Sequence, residues 1–112
     1  MKDYKDYTGS LSKYMKELRG LQPETMTGFS AMATGAKKNG ALDKKAKEFV
    51  ALGIAVATRC DGCIGFHVKE LLDLGATREE LGEVLAMAVY MGGGPSVMYA
   101  AHALKAYEDY TK

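Results

Sequence analysis

Two cysteines stand three positions apart, with a histidine four positions beyond, in the run Cys60-Asp61-Gly62-Cys63-Ile64-Gly65-Phe66-His67. If a helix starts near Cys60, steps of three and four residues bring Cys60, Cys63 and His67 onto one face. The free N–H groups of a helix start favour a thiolate, and a nearby imidazole can take or share the thiol proton. Such a thiolate attacks disulfides or peroxides, and a second cysteine one turn away closes the product into an intramolecular disulfide. Two other uses fit the same residues. Cys60, Cys63, His67 and His102 are all residue types that zinc accepts. Alternatively, both thiols are inert and buried, with His67 a core histidine beside Leu71. In a reducing compartment a C-x-x-C pair is more often a redox or metal pair than a staple. A disulfide across so short a loop also constrains the unfolded chain little.

Glu48 is the other side chain of note, an acid in an otherwise apolar stretch between Lys47 and Phe49. By itself it reads as a solvated position near a helix start, where a carboxylate suits the dipole. Along a straight helix it would lie roughly 18 Å from Cys60. It reaches the cysteine site only if the chain folds back after Asp61-Gly62 and brings His67, or a water, between them.

The elements that must position these residues are helices. Ala, Leu, Met, Lys and Glu abound, β-branched runs are missing, and the only prolines are Pro23 and Pro95. Tyr4, Tyr7, Leu11, Tyr14, Leu18 and Leu21 form a narrow apolar seam that packs on the core or on another subunit. Gly20 and Pro23 should end that helix. A second helix is expected over Glu24 to Lys38, followed by an Asn39-Gly40 turn. Asp43 caps a third, whose apolar spacing runs through Leu42, Ala46, Phe49, Val50, Gly53, Val56, Ala57 and Cys60. Asp61-Gly62 interrupts the pattern, and a fourth helix runs from about Cys63 to Leu74, stopped by Gly75. Thr77 and Glu80 form a capping box for a fifth, with Leu81, Val84, Leu85, Ala88 and Met91 turned inward. Gly92-Gly93-Gly94-Pro95 breaks the chain before the last helix. That helix carries two stripes, one of Val97, Ala100, Ala101 and Leu104, the other of Met98, Tyr99, His102 and Ala106. One should face the core and the other a subunit interface. Met87, Met91 and Met98 are read as core packing. The glycine run lacks the Lys-Ser/Thr pair of a phosphate loop.

A chain of 112 residues has room for one core, so residues 1–112 are read as one domain. With 47% hydrophobic and 26% charged residues it is globular rather than disordered. A net charge of +1 offers no electrostatic case for nucleic acid or an anionic membrane. The polar start MKDYKDYTGS lacks the apolar core of a secretory signal, and the longest apolar stretch, Phe49 to Ala57, is far short of the roughly 20 residues needed to span a bilayer. A cytoplasmic location is expected.

Taken together, Glu48-x4-Gly53, Cys60-x-x-Cys63-x3-His67, Gly75, Glu80, Met91 and Gly92-Gly93-Gly94-Pro95 resemble the carboxymuconolactone decarboxylase-like superfamily. The cysteine pair points to its alkylhydroperoxidase D (AhpD-like) branch. The resemblance covers a core of residues 42–107 and leaves residues 1–22 as an N-terminal helical extension. It implies an all-α, multi-helix fold assembled as homotrimers or homohexamers, and a peroxidase or disulfide-reductase cycle. It further implies Cys63 as the residue that forms the sulfenic acid, Cys60 as proton donor and resolving partner, and His67 with Glu48 as a proton relay. No cofactor or metal is assigned. The substrate would be a hydroperoxide or a partner disulfide, and the reductant an external dithiol such as a lipoylated protein, with a peroxiredoxin as a possible electron acceptor. Some relatives carry a second histidine between the cysteines, where this chain has Gly62. The decarboxylase branch, working by His67 and Glu48 acid–base chemistry without a cysteine pair, is the alternative, as is a redox-sensing or zinc-binding oligomer without turnover.

Overall fold

The computed structural model describes all residues, Met1–Lys112, as six helices without strands. These are α1 (Tyr4–Leu21), α2 (Pro23–Lys37), α3 (Lys44–Ala57), α4 (Asp61–Asp73), α5 (Arg78–Gly92) and α6 (Gly94–Thr111). The starts are written locally. The side chains of Asp3 and Asp43 accept from the N–H groups of Asp6 and Ala46, and Thr77 and Glu80 close the expected capping box. Pro23 and Pro95 sit in the first turns of α2 and α6, where a missing N–H leaves no bond unmade.

The core lies between α3, α4, α5 and α6. Leu52, Val56, Ile64, Val68, Leu71 and Leu81 are fully buried there, closed off by the small Ala103 and Ala106 of α6. The first half of α1 lies across α4 and α6 and buries Tyr4 and Thr8. The approach is close because α4 offers glycine to it. A Cβ at Gly65 would stand 2.6 Å from the Thr8 methyl, and one at Gly62 would stand 2.8 Å from Leu11. Asp109, buried near the end of α6, accepts from the Tyr4 N–H at 2.8 Å and from Lys105 Nζ at 2.5 Å. Burial pushes its carboxyl upward, but these donors outweigh it and hold it below the ordinary range.

Several sequence expectations are corrected. Gly20 lies inside α1, and the break comes at Gln22, ahead of Pro23. Asp61-Gly62 does not interrupt a helix but forms the first turn of α4; the chain reverses at Thr58 and Arg59, the latter at φ 59°. On α3 the inward residues are Glu48, Leu52, Ala55 and Val56, while Val50 and Ile54 face outward. Neither stripe expected on α6 is the buried one. The inward line is Ser96, Ala100, Ala103, Ala106 and Asp109, chosen by close helix approach rather than by bulk. Met87, Met91 and Met98 are exposed, not core. Only the first half of the α1 seam is covered; Tyr14, Leu18 and Leu21 remain outside. No helix is long and apolar enough to cross a membrane.

Candidate active site

The turn at Thr58-Arg59 folds α4 back along α3. Glu48 lies ten residues before Thr58 and His67 nine residues after it, so the hairpin brings them level. The imidazole Nδ1 of His67 and Oε2 of Glu48 are 2.6 Å apart. Glu48 is therefore not a solvated helix-start residue: it is 3% exposed, with its carboxylate turned into the α3–α4 seam. A buried carboxylate needs partners. Its other oxygen has Lys37 Nζ, from the end of α2, at 3.5 Å. With Nδ1 engaged, the ring nitrogen left to exchange a proton with another group is Nε2, and the His67 side chain keeps a quarter of its surface exposed.

Cys60 and Cys63 are joined in a disulfide, with their Cα atoms 5.2 Å apart. Cys60 is the N-cap of α4, and its sulfur accepts from the Cys63 N–H at 3.3 Å. A thiolate released by reduction would thus lie at the unpaired N–H groups of a helix start. His67 follows Cys63 by four residues on the same helix, which sets the two side chains one above the other. The fold-back that the Glu48 contact required is present, and a carboxylate, an imidazole and a cysteine pair follow one another along the hairpin. Gly62 has a reason of its own: any larger side chain between the cysteines would have to displace Leu11 of α1.

His102 is not part of this group. Its Nδ1 is 2.8 Å from Asp61 Oδ1, and nowhere do three His, Cys, Asp or Glu side chains converge as metal ligands would. The alternative zinc set of Cys60, Cys63, His67 and His102 is thereby divided among three separate contacts, the sulfurs with each other, His67 with Glu48 and His102 with Asp61. Sequence reasoning treated Asp61 only as part of a break, and so missed it. Its carboxylate takes Lys2 Nζ at 2.8 Å, the Tyr4 hydroxyl at 2.9 Å and His102. An acid directly after a helix-capping cysteine was the available signal.

An open basin of about 620 Å³ lies beside His67, lined also by Phe66, Lys69 and Glu70 of α4, by Lys5, Thr8 and Ser12 of α1, and by Lys37. Its cations are largely answered: Lys37 by Glu48, and Lys69 by Asp73 at 3.9 Å.

A sequence model of the carboxymuconolactone decarboxylase family matches residues 23–106, so the match takes in α2, upstream of Leu42. An uncharacterised protein of Cupriavidus necator is 40% identical over 107 residues, covering 96% of this chain and 94% of its own. An uncharacterised protein of Haemophilus influenzae is 34% identical over 105 residues, covering 94% and 93%. Among solved structures, a carboxymuconolactone decarboxylase family protein from Legionella pneumophila superimposes with a TM-score of 0.94 at 55% identity, covering 97% of each chain. A member from Thermotoga maritima, for which a part in an antioxidative response has been suggested, superimposes at 0.84 with 25% identity, covering 94% of this chain and 90% of its own.

Proposed function

The chain belongs to the carboxymuconolactone decarboxylase family, and we propose that it is a thiol-dependent antioxidant enzyme of the alkylhydroperoxidase D type, cycling through the Cys60–Cys63 disulfide. The observation that carries this reading is the Glu48–His67 pair, at 2.6 Å, one helical turn from a cysteine already bonded to its neighbour. Glu48 fixes the ring with its Nδ1–H toward the carboxylate, which leaves Nε2 to accept the Cys63 thiol proton. The thiolate attacks one oxygen of the hydroperoxide. The O–O bond breaks, the sulfur becomes a sulfenic acid, and the alkoxide leaves as an alcohol with the proton held by His67. The Cys60 thiol then attacks that sulfur, the disulfide forms and water departs. An external dithiol supplies two electrons and two protons to restore the pair.

Cys60 has a claim to the nucleophile's place in exchange with a disulfide substrate, because its sulfur is the one capped by a helix N–H. Titration of reduced protein with one equivalent of hydroperoxide, followed by mass analysis, tests the cycle. Two thiols should be lost per chain, with a mass decrease of two hydrogens inside one polypeptide. Cys63→Ser should stop peroxide consumption, and Cys60→Ser should leave a trappable sulfenic acid; the reverse pattern would exchange the two roles. If the double serine variant kept full activity, the protein would belong with the acid–base decarboxylases instead.

The same reading includes self-association as trimers or hexamers. It is supported by an apolar groove of about 380 Å³ between α3 and α5, walled by Phe49, Val50, Ile54, Val84, Met87 and Met91, and by exposed Phe29 and Met32 on α2. Light scattering should give a mass several times that of one chain, and Ile54→Asp should lower it.

A further inference from the structure

Asp61 is the first residue of α4 and lies inside the four-residue loop that the two sulfurs close. An acid suits a helix start, but here it also places a negative charge beside cysteines that become thiolates when the disulfide opens. The surrounding structure answers that charge from three directions. Lys2, ahead of α1, brings a full positive charge to Oδ2 at 2.8 Å. Tyr4 of α1 and His102 of α6 place an O–H and a ring nitrogen on Oδ1 at 2.9 and 2.8 Å. Two of these three partners are themselves held: His102 packs against Tyr99 at 4.8 Å between centroids, and the Lys2 ammonium lies 3.7 Å over the ring of Tyr7. Burial pushes the Asp61 carboxyl upward, and the bonds from Lys2, His102 and Tyr4 more than reverse this, so it stays below the ordinary carboxylate range.

We propose that Asp61, held by Lys2, Tyr4 and His102, is a positioning residue that sets how readily the Cys60–Cys63 disulfide is reduced. The inference rests on the thiol cycle proposed above, but it concerns the balance of that cycle rather than its peroxide step. In the oxidised form no charge lies on the sulfurs, and Asp61 costs nothing. In the reduced form a thiolate shares the start of α4 with the carboxylate. Each cation or donor taken from Asp61 then leaves more of its charge facing the sulfur and favours the disulfide. Removing the carboxylate's charge favours the dithiol.

The test is the equilibrium with glutathione at fixed pH. Two glutathione thiols give two electrons and two protons to the protein disulfide, forming the dithiol and glutathione disulfide. Asp61→Asn should raise the equilibrium constant for reduction by up to about tenfold, the size expected for one partly screened charge within a helical turn. Lys2→Met should lower it severalfold. His102→Leu should lower it too, while His102→Asn, whose amide nitrogen can stand where Nδ1 stood, should return it toward the parent value. If Asp61→Asn fails to fold, Lys2→Met carries the test from an exposed position ahead of α1. Equilibrium constants for well-folded Lys2→Met and His102→Leu within twofold of the parent would overturn the proposal. The measurement uses no peroxide. A protein inert to peroxide but with shifted equilibria would sink the peroxidase reading and leave Asp61's role intact, and an active peroxidase with unshifted equilibria would do the opposite.

Discussion

The α3–α4 hairpin and the α1–α2 arm are of similar length and both helical, yet the first buries four residues on each helix and the second ends in a helix with none. The hairpin makes its own environment. Its turn at Thr58-Arg59 sets the register, its apolar residues fill the core, and the one acid it buries is matched by His67 from the opposite helix of the hairpin. The arm begins well anchored at Tyr4 and Thr8 and then leaves the core, so that Leu21, Phe29 and Met32 face outward. The Glu48–His67 contact and the cysteine pair thus both come from the hairpin of a single chain. Beyond its anchored start, the arm touches the hairpin through Lys37 and leaves most of its apolar residues uncovered.

Both regions reach the same carboxylate, which makes Glu48 the sharpest point of comparison. His67 approaches it from the hairpin at 2.6 Å, and Lys37 from the arm at 3.5 Å with half its side chain exposed. Glu48→Gln should lower peroxide consumption by about 100-fold, the usual cost of disabling a proton relay, with the helical fold retained. Lys37→Ala should cost less than about fivefold, because an exposed ion pair is worth little. Equal losses in the two variants, measured as kcat/KM for one hydroperoxide, would break the distinction between a self-sufficient hairpin and an accessory arm.

The anchored start of the arm should give way in acid. Asp109 is held below the ordinary carboxylate range by Lys105 and the Tyr4 N–H. Its contribution to stability is therefore fully present above the unfolded-state carboxylate pKa and is lost as the pH falls through the lower folded value. Asp109→Asn should cost about 1.5–3 kcal/mol near neutrality and should flatten the acid limb of stability against pH, followed by urea unfolding. An unchanged acid limb would show that Asp109 does not hold α1 down.

A smaller effect separates the regions by sign. At Gly65 an added methyl meets Thr8 at 2.6 Å, and Thr8 cannot easily yield, since its hydroxyl is bonded to the Tyr4 carbonyl and the Tyr110 hydroxyl at 2.6 Å each. Gly65→Ala gains roughly 1 kcal/mol of helix propensity but loses about 1–3 kcal/mol to overpacking. A net loss of about 1 kcal/mol should lower Tm by about 4 °C. A rise in Tm would mean that α1 is less firmly seated than its burial suggests.

Much of the hairpin was legible in the sequence because its signals are local. Asp43 as a cap and the C-x-x-C-x3-H spacing each need only a few neighbouring residues to be read, as does the Thr77–Glu80 box that starts α5 after the hairpin. Glu48 became a candidate only through the family resemblance, because its partner lies across a turn whose position the apolar spacing misplaced by three residues. Asp61 and His102 were illegible for the same reason: a contact over 41 positions has no periodicity to reveal it. The two stripes on α6 misled because small residues mark close helix packing more faithfully than large ones do. Val97 and Met98 look like core and are not.

The smallest effect concerns α2 itself. Gly28 sits in the middle of α2, and a methyl there meets nothing within 4 Å. Gly28→Ala should add about 0.5–1 kcal/mol to that helix through the narrower backbone freedom of alanine in the unfolded chain. A helix without buried residues can open without unfolding the core, so the gain should remain local. Amide exchange in α2 should slow about two- to fivefold, the Boltzmann equivalent of that gain, while the global Tm stays where it was. If instead the whole protein melted several degrees higher, α2 would belong to the cooperative unit. The link would then run either through the chain's own contacts, Lys47 Nζ on the Ala36 and Lys38 carbonyls and Lys37 on Glu48, or through the surface of another copy. Repeating the measurement on Ile54→Asp, which should loosen contacts between copies, would then separate the two cases: a Tm gain that vanishes with dissociation assigns the arm to the assembly rather than to the chain.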